Sequence, residues 1–141
     1  MKISLPYISN LKQGEIFVFG SNEAGIHGAG AANLALSKFG AIYGQGYGLQ
    51  GQSFGIPTKD KNIKTLPLSS IQVYVNKFLG FASEHQEYNF LVTKVGTGLA
   101  GLETEFVAPL FQQATKIDNI YLPLDFLNLY SDERFCDSSR N

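Results

Sequence analysis

At 141 residues the chain is sized for one domain around one core, and it can bury enough surface to fold without a covalent staple. Apolar residues make up 44% of it, with eleven Phe and seven Tyr, which excludes a wholly disordered chain. A formal charge of −1 and the absence of any Lys/Arg run argue against a domain that grips unmodified nucleic acid through its phosphates.

Glu15 to Phe19 is a short apolar run rich in β-formers and closed by Gly20, the pattern of a buried strand. A polar, glycine-containing loop runs from Ser21 to Gly28. From about Ala29 to Phe39, the spacing of Ala32, Ala35, Leu36 and Phe39 predicts a helix that ends at Gly40. Gly40 to Gly55 interleaves glycines with Tyr43, Tyr47, Phe54 and Gln, which suits ordered surface loop and strand edge better than a flexible linker. Ser53 to Pro57 reads as a short strand. Ser69 and Gln72 have the spacing of a capping box, and Ile71, Val75, Phe78, Leu79 and Ala82 then mark one helical face.

Asn89 to Val95 is a second strong strand, followed directly by Gly96-Thr97-Gly98-Leu99-Ala100-Gly101. Phe106, Val107, Leu110, Phe111 and Ala114 predict a further helix, its regular part restricted by Pro109 to the later residues. Asn119 to Leu122 is a last short strand. Residues 1–130 are expected to form a single domain, with 131–141 a polar, fraying tail.

Strands alternating with helices predict an α/β fold, a mainly parallel sheet with helices on both faces. Such sheets take ligands at the carboxyl ends of their strands. Both glycine loops, Gly20–Gly30 and Gly96–Gly101, fall at those ends and should face one another. A diphosphate needs converging backbone N–H groups with no Cβ in the way, and glycine before a helix N-terminus meets that need. Glycines that only punctuate turns are the alternative. No Gly-Lys pair exists for a P-loop, and Gly28-Ala29-Gly30 continues to Asn33 rather than to a third glycine, so the dinucleotide fingerprint is absent too.

Three segments together resemble macrodomains. They are Phe19-Gly20-Ser21-Asn22 with His27-Gly28-Ala29-Gly30-Ala31-Ala32, then Ile56-Pro57-Thr58-Lys59, then Val95 to Leu102. Within that family they are most similar to the short macrodomains of DNA-ADP-ribose-removing antitoxins and of terminal-ADP-ribose protein glycohydrolases, and to small macro-like proteins of phages and bacteria. The similarity spans roughly residues 15 to 126. It implies a macrodomain-like three-layer sandwich with a mixed, mainly parallel sheet. It also implies ADP-ribose or an ADP-ribosylated macromolecule as partner, with no cofactor. By the same resemblance, Gly28, Ala29 and Gly30 lie along the diphosphate and distal ribose, and Gly96, Thr97, Gly98, Leu99, Ala100 and Gly101 wrap the diphosphate from the other side. Gly20 and Ser21 belong to the ligand loop, and Asn22 approaches the distal ribose. Lys59 matches the lysine that hydrolytic relatives use at the anomeric carbon. One departure stands out. The terminal-ADP-ribose protein glycohydrolases carry an Asp directly after their G-x-G-L segment, where this chain has Ala100; the DNA-directed antitoxins lack that Asp as well. The resemblance thus implies binding first. It implies next hydrolysis of an ADP-ribosyl linkage with Lys59 and Asn22 as catalytic residues. A non-catalytic reader or nucleotide sink, or a scaffold without ligand, is the alternative.

Single residues carry competing readings. Lys59 could attack the anomeric carbon or polarise the leaving group, or be a solvent-facing lysine beside Asp60 and Lys61. Asn22 could orient a ribose or cap a turn. His27, beside a glycine loop, is a candidate acid or base or simply an exposed side chain, and His85 with Glu84 and Glu87 reads as a solvated helix end. Tyr43, Tyr47 and Phe54 include candidate adenine-stacking rings, and Asp118 and Asp125 candidate polar contacts. No His or Cys pair has metal-ligand spacing, so no metal is expected. The lone Cys136 cannot form an internal disulfide and is a poor nucleophile. No stretch reaches the roughly 18 apolar residues of a membrane span, and the first residues lack the apolar run of a secretory leader. The expected setting is the cytoplasm, with no membrane partner.

Overall fold

The computed structural model describes residues 2–131; the tail beyond, including Cys136, lies outside the described residues. The chain runs β1 (Ile3–Ser4), β2 (Glu15–Asn22), α1 (Gly30–Lys38), β3 (Gly48–Gln50), β4 (Ser53–Lys59), α2 (Leu68–Glu84), β5 (Asn89–Val92), α3 (Thr104–Val107), a 3₁₀ helix (Ala108–Lys116), β6 (Ile120–Pro123) and α4 (Leu124–Tyr130). Six strands form one sheet in the order β1-β6-β5-β2-β4-β3, parallel throughout except for the β3–β4 pair.

Side-chain alternation on the central strand divides the core. Ile16 and Val18 face the layer of α2, the 3₁₀ helix and α4, where Phe54, Phe78, Phe90, Phe111 and Phe126 are also buried. Phe17 and Phe19 point to the opposite face and pack with Ala32, Ala35 and Phe39 of α1 and its end. Both faces of β2 are therefore apolar, as expected of a central parallel strand. The architecture is a three-layer α/β sandwich with a mixed, mainly parallel sheet.

Several boundaries depart from the sequence reading. β2 does not stop at Gly20; β4 pairs with it as far as Asn22↔Lys59, which carries Ser21 and Asn22 into the strand. β5 ends at Val92, where both the amide and the hydroxyl of Thr93 bond to the Val18 carbonyl. The capping box at Ser69 and Gln72 does not form. Pro67 precedes the first helical residue, and its φ of −58° sets the chain into the helix two residues earlier. Gln72 instead donates to Asn76 Oδ1 (2.9 Å) and the Leu110 carbonyl (3.1 Å). Around Pro109 the expectation is reversed: the α-helical turn comes before it, and the tighter 3₁₀ helix runs from Ala108. A proline near the start of a helix removes no needed donor, so the new segment begins there.

The segment from Gly40 to Gly55 is less superficial than its composition suggested, since Gly46, Gly48 and Gln50 are buried. Gly46 lies against β2 so closely that a Cβ there would fall 2.1 Å from the Asn22 carbonyl oxygen. The last strand begins one residue late, because Asn119 turns its amide to the Ala82, His85 and Tyr88 carbonyls, 3.0 Å from each, and closes the end of α2. His85 is not a solvated helix end: its ring stacks on Phe81 with centroids 3.9 Å apart. β1 and α4 were not foreseen, and β3 is the strand edge expected within Gly40–Gly55.

Candidate functional site

A cleft of about 1110 Å³ opens on the α1 face, between α1 and the N-terminal arm (residues 3–9), with the carboxyl ends of β2, β4 and β5 at its head. Its lining brings together Gly20, Ser21 and Asn22 at the end of β2, Gly28, Ala29 and Gly30 at the entry to α1, Lys59 at the end of β4, and Gly96 through Ala100 after β5. Gly101 is the exception; it turns away to the surface and does not line the cleft. The two glycine loops approach each other closely. A Cβ on Gly20 would sit 3.1 Å from the Gly96 nitrogen, and one on Gly30 would sit 3.8 Å from Leu99 Cδ1. The α1 terminus beside them has no side-chain cap, which leaves its first-turn N–H groups available to an anion.

The first loop is held by side chains. Asn22, 8% exposed, donates its amide to the Ile26 carbonyl (2.7 Å) and accepts the Ile26 N–H on Oδ1 (2.9 Å). One donor and one acceptor of that amide are thus committed to loop closure. Ser21 donates to the Gly46 carbonyl. His27, read as an exposed side chain, is 1% exposed and packs edge-on against Phe19. Its Nε2 lies 3.0 Å from the Ile42 and Gln45 carbonyls and 3.2 Å from Gln50 Oε1. Three acceptors around one nitrogen require a proton on Nε2, and the buried Nδ1 has no partner among the described residues. His27 does not line the cleft, so it offers no acid or base there.

The second loop is tied more lightly. Thr97 places its N–H (3.2 Å) and its hydroxyl (2.8 Å) on the Lys94 carbonyl, and the Leu102 N–H reaches the Gly96 carbonyl at 3.0 Å. Thr65 donates to the Ala100 carbonyl at 2.9 Å. Gly98 and Leu99 stand in solvent, Leu99 at 69%.

Lys59 is half-buried, and its amine has no side-chain partner among the described residues. Asp60 does not supply one: its Oδ1 accepts the Asn62 and Lys64 N–H groups at 2.8 and 3.0 Å and closes the turn after β4. That turn carries Ile63 into the cleft wall at φ +63°, an uncommon left-handed conformation for a β-branched residue.

Of the other candidates, Tyr43, Tyr47 and Phe54 do not line the cleft. Phe54 is core, Tyr47 packs against it and Tyr74, and Tyr43 faces solvent. The rings that do line it are Phe17 and Tyr7, the latter 89% exposed. Asp118 is outside, whereas Asp125 is at the rim, paired with Lys94. Lys94, Ile63, Leu34 and the N-terminal arm were not singled out from sequence; only the Asp60-Lys61-Asn62 turn signature near Ile63 hinted at any of them. Among the described residues no group of three or more His, Cys, Asp or Glu could hold a metal, and no helix is long and apolar enough to cross a membrane.

No family model matches this chain, and no curated protein does so either. A solved structure from Bacteroides thetaiotaomicron, described as a protein of unknown function, is similar to it with a TM-score of 0.57, at 16% identity over 82% of this chain and 90% of that one. At that identity the likeness concerns the fold alone: a three-layer α/β sandwich.

Proposed function

We propose that the chain binds ADP-ribose, or a closely related NAD-derived nucleotide, in this cleft and hydrolyses an ADP-ribosyl linkage there, in a cytoplasmic setting. The observation that carries the reading is the meeting of two glycine loops and a lysine, unpaired among the described residues, at the carboxyl ends of three parallel strands. Backbone N–H groups of Gly28–Gly30 and Gly96–Ala100 would receive the diphosphate, with the uncapped start of α1 adding its dipole. Lys59 would then face the anomeric carbon. Water attacks that carbon and the bond to the attached group breaks. The electron pair leaves with that group, and the proton released by water returns to it or to solvent. A cation at Lys59 stabilises the charge that develops on departure, and holding the sugar in attack geometry supplies the larger part of the rate.

A melting curve with excess ADP-ribose, against AMP as control, tests the binding. At a hundredfold over Kd the complex gains about 2.7 kcal/mol, which raises the midpoint by roughly 2–4 °C per kcal/mol in a chain of this size. No rise at saturating ADP-ribose would end the proposal. Lys59→Ala is expected to abolish release of ADP-ribose from modified DNA or protein while leaving binding in place. Unchanged release would remove Lys59 from the chemistry.

Binding without hydrolysis is the second reading, and two observations favour it. Ala100 stands where the protein-directed glycohydrolases carry an Asp, and the Asn22 amide is already engaged by Ile26 on both its nitrogen and its oxygen. It predicts the same thermal shift with no release from any modified substrate.

A further inference from the structure

Three lysines line the cleft: Lys38, Lys59 and Lys94. Lys38 lies at the end of α1 and donates to the Ser9 carbonyl at 2.7 Å, and Lys59 is unpaired among the described residues. Lys94 differs from both. Its Nζ is 2.9 Å from Asp125 Oδ2, the one ion pair among the described residues, and both side chains are about half exposed, 47% and 57%. Its backbone carbonyl is the anchor for the Thr97 N–H and hydroxyl, so the pair stands at the root of the second glycine loop.

We propose that this pair is an anion switch: a diphosphate entering the cleft displaces Asp125 from Lys94, and Lys94 becomes the diphosphate's cationic partner. The inference rests on the proposed nucleotide site and adds to it a residue that discriminates by charge. The physical argument is a competition. A half-exposed pair of single charges is held weakly, because water screens both members. A diphosphate carries more negative charge than one carboxylate, and the neighbouring backbone N–H groups hold it in place. Empty, the cleft keeps Lys94 neutralised and turned to the α4 side. Occupied, it exposes Asp125 to the acidic shallow groove that Asp125 shares with Glu103 and Glu105. Asp125 therefore opposes binding by occupying Lys94.

The consequence runs against the usual result of deleting an ion pair. Asp125→Asn should tighten binding, by about two- to fivefold for an exposed pair of this kind. Lys94→Met should weaken it by a similar factor. In the Lys94→Met/Asp125→Asn double variant the gain from Asp125→Asn should vanish, since no lysine remains to be released. Glu105→Gln removes one charge of the neighbouring groove without freeing Lys94 and should leave affinity nearly unchanged. The measurement is calorimetric titration of each folded variant with ADP-ribose and, separately, with inorganic pyrophosphate at low salt. Asp125→Asn binding no tighter than the native chain overturns the switch. So does a gain that persists without Lys94, or one that Glu105→Gln reproduces. A native chain that binds pyrophosphate but not ADP-ribose refutes the nucleotide reading while the variants still decide the switch. A native chain that binds neither refutes both.

Discussion

The two glycine loops that face each other across the cleft are built on different terms. The first, from Asn22 to Gly30, is braced on three sides. The Asn22 amide clamps Ile26 through two hydrogen bonds, His27 is a buried post under the Ile42–Gln50 segment, and Glu23 accepts a hydrogen bond from Tyr74 on α2. The second, from Gly96 to Gly101, depends on one threonine, a few backbone bonds and the Thr65 hydroxyl, and it leaves Gly98 and Leu99 in solvent. A site with one rigid jaw and one light jaw divides its labour. The rigid jaw fixes position before any ligand arrives, and the light jaw can take its final shape on the ligand. If that division is real, damage to the first loop is felt in folding, and damage to the second is felt in binding.

The largest effect is expected from Gly25→Ala. Gly25 has φ +73°, and a Cβ there would fall 2.3 Å from the Gly44 carbonyl carbon and 2.4 Å from the Gln45 nitrogen, backbone that cannot step aside cheaply. Left-handed strain and overpacking together should cost about 2–4 kcal/mol in a urea melt. A loss below 1 kcal/mol would mean that the brace is soft. Asn22→Ala comes next. It leaves the Ile26 N–H and carbonyl without their partners, and should cost about 1–3 kcal/mol. Asn22→Asp sharpens the result: it keeps the acceptor for the Ile26 N–H but turns a carboxylate oxygen toward the Ile26 carbonyl, so it should recover little of that loss.

Alkaline pH probes the Glu23 brace. The Tyr74 hydroxyl is pushed up from 10.0 to about 12, first by its hydrogen bond to Glu23, then by burial and by the Glu23 charge. A group whose folded pKa is raised contributes stability that is whole below its unfolded value and is lost as pH climbs through the folded one. The contribution is therefore present up to about pH 10 and disappears as the pH approaches 12. Burial also raises Tyr130, which donates to the Ala108 carbonyl far from this loop, so Tyr74→Phe is the control. The native chain should lose stability between pH 10 and 12 more steeply than Tyr74→Phe. Parallel curves would show that Glu23 and Tyr74 contribute nothing to the rigid jaw.

Much of this frame was legible in the sequence, and the gaps have physical causes. α2 was readable because its apolar residues repeat at the helical period, Ile71, Val75, Phe78, Leu79 and Ala82 on its buried face, and β2 and β5 because each is a short run of β-formers closed by a glycine loop. β1 was not, because a two-residue strand has no period; it exists through its register with β6, Ile3↔Leu122 and Ser4↔Pro123. α4 escaped because Leu124 to Tyr130 is a short, nearly continuous apolar run, which periodicity cannot assign. The position of the glycine loops followed from a local rule, glycine after a strand at a sheet edge. Burial of His27 did not, since its three acceptors come from residues fifteen or more positions away. The same holds for Lys94, whose partner lies 31 residues on, and for the N-terminal arm, which lines the cleft only because β1 pairs at the far edge of the sheet.

The smallest effect belongs to the light jaw and tests the comparison most directly. Thr97→Val removes one exposed hydroxyl-to-carbonyl bond and preserves side-chain shape. Its cost in a urea melt should stay within about 0.5 kcal/mol, as for most surface substitutions. Hydrogen exchange then separates the loops. In the native chain, the amides of Thr97 to Ala100 should exchange faster than that of Ile26, which is donated to the buried Asn22. Thr97→Val should speed exchange in the second loop alone. Added ADP-ribose should slow exchange chiefly there, because the first loop is already ordered and has little freedom to lose. Equal slowing in both loops would show that the first jaw also moves on binding, and the Asn22 and Glu23 contacts would then belong to one closed state among several rather than to a fixed half of the site.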